Sequence, residues 1–156
     1  MRLDRLGPED LPFSFGQLTL TNLLGEGSCG RAFRAETRGV GGLPRVVAVL
    51  ALPPDPGAEG AWGGALPWVQ QARLLRHRGI VQTFSSGERE GSPFVVTELV
   101  EGAGFGELVQ RIGALPPRSA LDLAIQVAAG LASAQGLVQR GQPQPVAHGD
   151  LRPSRV

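Results

Sequence analysis

Three glycines at G-x-G-x-x-G spacing, Gly25, Gly27 and Gly30, are the feature of this sequence best suited to chemistry. Glycine lets backbone N–H groups approach an anion closely and adopts positive φ without steric cost, so the pattern can bind a phosphate. The same spacing marks dinucleotide-binding turns, which open into an amphipathic helix. Here the residues after Gly30 alternate as in a strand. The sequence therefore predicts a glycine hairpin, which taken alone could equally be a structural turn.

The other side chains that could do chemistry stand alone in the sequence. Cys29 lies at the tip of the hairpin without an obvious activating neighbour, so we interpret it as an ordinary thiol. His77 and His148 lack companions at metal-ligand spacing, and we predict no metal site.

The composition restricts the class of function. A net charge of +1 gives no broad basic surface, which argues against nucleic acid as a partner. No apolar run is long enough to span a bilayer, the N-terminus lacks a signal core, and a single cysteine suits a reducing compartment. We therefore expect a cytoplasmic protein without a membrane partner. All 15 basic residues are arginine, and the chain has no lysine.

Hydrophobic periodicity predicts the elements that must position these residues. Residues 1–14 form a polar leader without periodicity, which we expect to be flexible and loosely attached. Alternating or continuous apolar runs predict five strands, over 17–24, 32–37, 45–52, 80–84 and 93–100. Helical patterns occur over 67–76, after the third strand, and over 121–138. This order of elements is typical of an α+β fold.

The order of elements and several motifs together resemble a protein kinase domain of the bacterial serine/threonine type. The sequence V-A-V at 47–49 is similar to the third-strand motif V-A-x-K, and H-G-D-L-R-P at 148–153 is similar to the catalytic loop H-R-D-L-K-P. The resemblance runs from about residue 15 to the last residue. It implies a small lobe over 15–100, with a five-stranded antiparallel sheet and helix C. It also implies that 101–156 contains the hinge, helices D and E and the start of the catalytic loop.

The resemblance assigns nucleotide contacts mainly to small side chains and to the backbone. The glycines would lie over the phosphates, Ala48 above the adenine, and Thr97 at the gatekeeper position. The positions that carry these roles are Gly25, Gly27, Gly30, Ala32, Ala48, Thr97, Glu98 and Val100. In the family, the floor of the adenine site belongs to residues beyond Val156. The positions present would form half a site, for which ATP binding is expected to be weak.

The charged residues on which kinase chemistry depends are replaced in this sequence. Leu50 occupies the place of the phosphate-binding lysine, and leucine offers neither charge nor donor. Gln71 occupies the place of the helix C glutamate that pairs with that lysine, although a slipped alignment of this short helix stays open. Both halves of the ion pair are then missing together, which is coherent because a buried carboxylate without its partner is costly.

The catalytic loop departs from the family pattern as well. Asp150 holds the place of the general base, and we interpret it as vestigial, kept for hydrogen bonds to the loop backbone. Arg155 occupies the place of the asparagine that ligates magnesium. A guanidinium about 4 Å from a dication is repelled by about 8 kcal/mol at an effective dielectric constant of about 20. The resemblance thus implies that magnesium does not bind there in the usual way.

These replacements predict an inactive, pseudokinase-like protein that acts through binding. Because most of the large lobe would lie beyond Val156, we also expect a truncated domain whose helix over 121–138 has an unpartnered apolar stripe. The stripe comprises Leu121, Ile125, Ala128 and Ala132. A protein partner or a second copy would cover it. Two alternatives stay open: an active serine/threonine kinase whose remainder is missing, and a sensor that binds ATP without magnesium.

Overall fold

A computed structural model describes residues 2–27, 30–39, 42–53, 65–153 and 156. Cys29 and Arg155, both singled out above, lie outside the described residues. The chain divides into two compact units. The first contains Met1–Arg73 and Gln82–Leu99, and the second contains Leu74–Val81 and Val100–Val156.

The first unit is built on a six-stranded antiparallel sheet in the order β1-β2-β3-β4-β6-β5. The strands are β1 (Phe13–Phe15), β2 (Leu18–Gly27), β3 (Gly30–Arg38), β4 (Pro44–Ala51), β5 (Thr83–Arg89) and β6 (Ser92–Glu98). The predicted α+β class and antiparallel sheet are confirmed, but the sheet has six strands instead of five. The additional strand is β1, which has only three residues and is too short to show a period.

The position of β5 also differs from the prediction. The sequence pattern predicts a strand over 80–84, whereas β5 begins at Thr83 and continues to Arg89 through mostly polar residues. These residues pair with β6, for example Ser86 with Val95. The turn is confined to Glu90 and Gly91, whose φ angles are 50° and 75°. The polar side chains of β5 give no hydrophobic pattern that would predict a strand. Backbone pairing with β6, and not burial of both faces, holds β5 in the sheet.

The N-terminal segment packs on the sheet, so the expectation that residues 1–14 are loosely attached is wrong for its apolar residues. Leu3 lies in a 3-10 helix, Leu3–Arg5, and both Leu3 and Leu6 are fully buried in the main core. Arg31 Nη1 donates a hydrogen bond of 2.6 Å to the Leu6 carbonyl oxygen, which fixes the segment against β3. Two buried leucines among charged residues and prolines form no periodic pattern, which is why the sequence did not reveal them.

A short helix, α1 (Ala65–Ala72), completes the first unit. It ends four residues before the predicted limit of 76. Val69 is fully buried and forms a small apolar cluster with Leu52 and Val95. This cluster is separate from the main core, which lies on the other face of the sheet and includes Val47 and Val49.

The second unit contains α2 (Phe105–Ile112), α3 (Pro117–Gln135) and a small hairpin of β7 (Val138–Gln139) and β8 (Gln142–Pro143). Helix α3 has proline at its first turn, where a missing N–H costs little. It buries Gly130 and Ala134, whereas Leu121 and Ile125 are 63% and 62% exposed. Among the described residues, no helix combines the length and apolar character needed to cross a membrane.

Candidate functional site

The register of the sheet places the predicted adenine-side residues of β3, β4 and β6 on one face. Ala32 pairs with Leu50, and Ala48 pairs with both Arg34 and Thr97. Directly opposite residues in an antiparallel sheet share a face, and residues two apart along a strand do so too. Ala32, Ala48, Leu50 and Thr97 therefore project from the face opposite to the main core. The side chains of Ala32 and Ala48 are small and partly buried.

The glycine hairpin joins β2 to β3, as the sequence predicted. Gly25 pairs with Ala32, and Gly27 pairs with Gly30. Gly30 has φ of +111°, and a Cβ there would lie 1.9 Å from the Ala51 carbonyl oxygen, so the fold itself requires this glycine. A Cβ at Gly25 or Gly27 would meet no atom of the described residues within 4 Å. The packing of this part of the chain does not explain these two glycines, whereas close approach of a ligand would explain them.

Leu50, the residue predicted to replace the kinase lysine, lies beside apolar side chains. Leu50 is partly buried and packs against the cluster of Leu52, Val69 and Val95. Among the described residues, the side chains of this cluster offer a phosphate neither a cation nor a hydrogen-bond donor.

Helix α1 presents Val69, not Gln71, to Leu50. Val69 belongs to the cluster that contacts Leu50, and residues two apart on a helix do not share a face. Gln71 is partly exposed, and two residues after Val69 it belongs to a different face of the helix. The sequence alone assigns the helix C glutamate position to Gln71 and does not single out Val69. Its one indication of a different residue is the possible slipped alignment of this short helix. Neither residue carries a charge.

Arg31 follows the third glycine but lies on the other face of the sheet from Ala32, Ala48 and Leu50. It alternates with Ala32 along β3, so its side chain projects from the opposite face. Its Nη2 lies 3.1 Å from Glu26 Oε2, and its Nη1 donates to the Leu6 carbonyl oxygen. These contacts hold the hairpin and the N-terminal segment together, so Arg31 does not replace the missing lysine.

The end of β6 provides the predicted hinge residues of the first unit. The Thr97 hydroxyl donates a hydrogen bond of 3.0 Å to the Glu98 carbonyl oxygen. Glu98 is tied to Gln82 twice: its N–H donates to the Gln82 carbonyl oxygen at 2.9 Å, and its Oε1 accepts from the Gln82 N–H at 2.7 Å. The hinge strand is thus fixed to the segment that precedes β5. The next hinge position, Val100, belongs to the second unit and is exposed.

The segment predicted to be the catalytic loop, 148–153, also lies in the second unit. Asp150 Oδ2 lies 3.2 Å from Arg152 Nη2, and both side chains are about half exposed. The Asp150 N–H donates to His148 Nδ1 at 3.3 Å, across Gly149 with φ of 72°. The carboxylate is thus paired with a cation of its own loop. In the part of the chain that the structure describes, no three His, Cys, Asp or Glu side chains are grouped as a metal site.

Comparison with curated proteins finds bacterial serine/threonine kinases, while no protein-family model matches the chain. Serine/threonine-protein kinase pkn2 of Myxococcus xanthus is 31% identical over 154 residues, 97% of this chain and 17% of that protein. Serine/threonine-protein kinase PksC of Streptomyces coelicolor is 32% identical over 152 residues, 90% of this chain and 25% of that protein. The chain thus spans a quarter or less of the length of these two relatives.

Solved structures show the same fold. The crystal structure of the PknI kinase domain of Mycobacterium tuberculosis matches with a TM-score of 0.72 at 24% identity, over 96% of this chain and 56% of that chain. At this identity the likeness shows the fold alone, and the kinase relatives supply the sequence similarity. The chain is therefore a protein kinase-like domain of the bacterial serine/threonine type, covering about half of a kinase domain.

Proposed function

We propose that this domain does not transfer phosphoryl groups and acts by binding another molecule. The observation that carries the proposal is Leu50 at the lysine position, packed against Val69 and Val95. Phosphoryl transfer depends on cations that neutralise the charge developing on the phosphate. A protonated amine at this position would have to lie among apolar side chains, which costs free energy unless it is paired. Leucine at position 50 and the apolar side chains beside it therefore both support a site without this cation.

Two further regions support the proposal. Helix α1 offers Val69 and Gln71 where an active kinase would supply a carboxylate, and neither is acidic. Arg155 stands in the sequence at the position of the magnesium-binding asparagine. The residues present suit an adenine ring better than a magnesium–phosphate group, because the small side chains remain and the charges do not.

Incorporation of labelled phosphate from ATP into mixed acceptor proteins tests the proposal. We expect the pure protein, with magnesium or manganese, to give the same background as its Asp150→Asn variant. The Asp150 side chain is about half exposed and pairs with Arg152 of the same segment, so the isosteric substitution should leave the fold intact. Incorporation by the wild type that disappears in Asp150→Asn would overturn the proposal and favour an active kinase.

A second candidate function, nucleotide sensing without magnesium, is favoured by Gly25 and Gly27. Packing against the described residues requires neither glycine, and both lie on the hairpin that would cover the phosphates. Thermal unfolding with ATP in the presence of EDTA tests this function. A ligand at ten times its Kd stabilises the folded state by about 1.4 kcal/mol. Stabilisation that is lost in Gly27→Val would support the sensor. Stabilisation only with magnesium would favour a kinase, and none would favour a pure binding module.

For the binding module, we propose that the exposed stripe of α3 is the contact surface. Leu121 and Ile125 are more than 60% exposed, and contiguous apolar surface of this kind is typical of interaction sites. The occupant would be a protein partner or a second copy, in the cytoplasm. Cross-linking within cells, followed by recovery of the cross-linked chain, tests whether the stripe is covered.

A further inference from the structure

The two edges of the six-stranded sheet approach each other in the first unit. β1 and β5 are the edge strands. The ring centroids of Phe15 in β1 and Phe94 in β6 are 4.7 Å apart, and the rings are arranged edge to face. Arg89 Cζ of β5 lies 5.2 Å from the Phe15 ring centroid. The sheet is therefore curled like an incomplete barrel, and its edges meet through side chains and not through backbone pairing.

An open cavity of about 490 Å³ lies beside this meeting point. Small-molecule sites have volumes of about 300–1,000 Å³ and often occupy the mouths of barrels. The apolar part of the lining consists of Phe15, Leu18, Val47, Phe84, Phe94 and Val96. Val47 alternates with Ala48 along β4, so the cavity lies on the opposite face of the sheet from the candidate nucleotide site. The cavity is therefore separate from the candidate nucleotide site.

Two arginines give the cavity a positive rim. The Arg45 guanidinium stacks on the Phe84 ring, with its Cζ 3.7 Å from the ring centroid, and Arg89 lies near Phe15. Stacking uses the flat face of a guanidinium and leaves its in-plane N–H donors available. Within the described ranges, no carboxylate pairs with Arg45. Glu88 also lines the cavity, so the rim retains one net positive charge.

We propose that this cavity binds a small carboxylate with an apolar body. The apolar body would contact the phenylalanine and valine side chains, and the carboxylate would accept hydrogen bonds from Arg45, with Arg89 as the second cation. Arginine recognises a carboxylate through two parallel N–H donors, which a neutral polar group cannot match. A medium-chain fatty acid and an aromatic acid both combine a carboxylate with an apolar body, and they differ in shape.

Titration with decanoate and with 2-naphthoate, each followed by isothermal calorimetry, tests the proposal. Decanol and 2-naphthalenemethanol serve as neutral matched probes. We expect saturable binding of at least one acid and at least tenfold weaker binding of its alcohol. Tighter binding of decanoate would indicate an aliphatic ligand, and tighter binding of 2-naphthoate an aromatic one.

Two exposed arginines provide matched variants. Arg45→Gln should weaken binding of the acid at least tenfold, and Arg118→Gln, on α3, should leave it unchanged. Arg45 is exposed, so its replacement should not unfold the domain, and circular dichroism checks this. The proposal is overturned if neither acid binds, if acid and alcohol bind equally, or if Arg45→Gln binds as tightly as the wild type.

Discussion

At the scale of single residues, the environment of Leu50 yields the sharpest test of the altered site. We predict that Leu50→Lys lowers the free energy of unfolding by about 1–3 kcal/mol, because the amine would be placed beside Val69 and Val95, in a cluster whose described members include no carboxylate. Leu50→Met keeps the volume and should cost less than about 1.5 kcal/mol. Urea unfolding of both variants measures the difference. Equal stability of the two would mean that the position tolerates a cation.

The glycines of the hairpin make a second prediction at this scale. Gly30→Ala should strongly destabilise the domain, by about 2 kcal/mol or more, because of its positive φ and the collision with the Ala51 carbonyl oxygen. Gly27→Ala should change stability by less than about 1 kcal/mol, since its Cβ would meet no atom of the described residues within 4 Å. Thermal unfolding compares the pair. A larger loss for Gly27→Ala would contradict the assignment of Gly30 as the structural glycine.

The sequence was informative about single residues where identity alone decides the chemistry. That Leu50 cannot supply a charge follows from its side chain, without any coordinates. That Val69 faces Leu50 does not follow from the sequence, because the rotation of a short helix depends on which residue its neighbours bury. The packing requirement at Gly30, and its absence at Gly27, likewise depend on how closely β3 passes the end of β4.

At the scale of elements, the strands with continuous apolar runs were predictable, and those without them were not. β4 is rich in valine and is buried on one face, so its pattern is strong. β1 has three residues and β5 is polar, and both depend on neighbours for their pairing. The N-terminal segment depends on tertiary contacts entirely, since two leucines three residues apart predict no element.

The attachment of the N-terminal segment makes a pH-dependent prediction. Asp4 accepts a hydrogen bond of 2.6 Å from the buried Ser92 hydroxyl and forms a two-point pair with Arg2. Partial burial alone would raise the pKa of Asp4, but the hydrogen bonds from Ser92 and Arg2 and the charge of Arg2 outweigh it, and the pKa is lowered. A lowered pKa in the folded state means that ionised Asp4 stabilises the fold above its unfolded pKa of about 4.

We therefore predict that Asp4→Asn is less stable than the wild type near neutral pH, and that the gap closes as the pH falls below about 4. Urea unfolding at a series of pH values measures the gap. Glu9→Gln, an exposed change in the same segment, is the matched control and should show no such gap. A difference between Asp4→Asn and wild type that stays constant down to pH 2 would contradict a role for the ionised carboxylate.

At the scale of the whole molecule, each unit carries a surface that its own core does not explain. In the first unit, the curled sheet leaves a cavity with a positive rim, and no sequence pattern predicts how far a sheet curls. In the second unit, the stripe of α3 was predictable, because a 3.6-residue period shows which residues share a helix face. Which of the two faces of α3 is buried required the structure, which buries Gly130 and Ala134.

The stripe yields a prediction about association. Leu121→Ser with Ile125→Ser should change the free energy of unfolding by less than about 1 kcal/mol, because both side chains are more than 60% exposed. The same double variant should reduce any self-association, measured by sedimentation velocity over a range of concentrations. Val127→Ser, at a partly buried position of α3, should instead destabilise the fold without a specific effect on association. A wild type that remains monomeric throughout would exclude a second copy as the occupant and direct the search to a different protein.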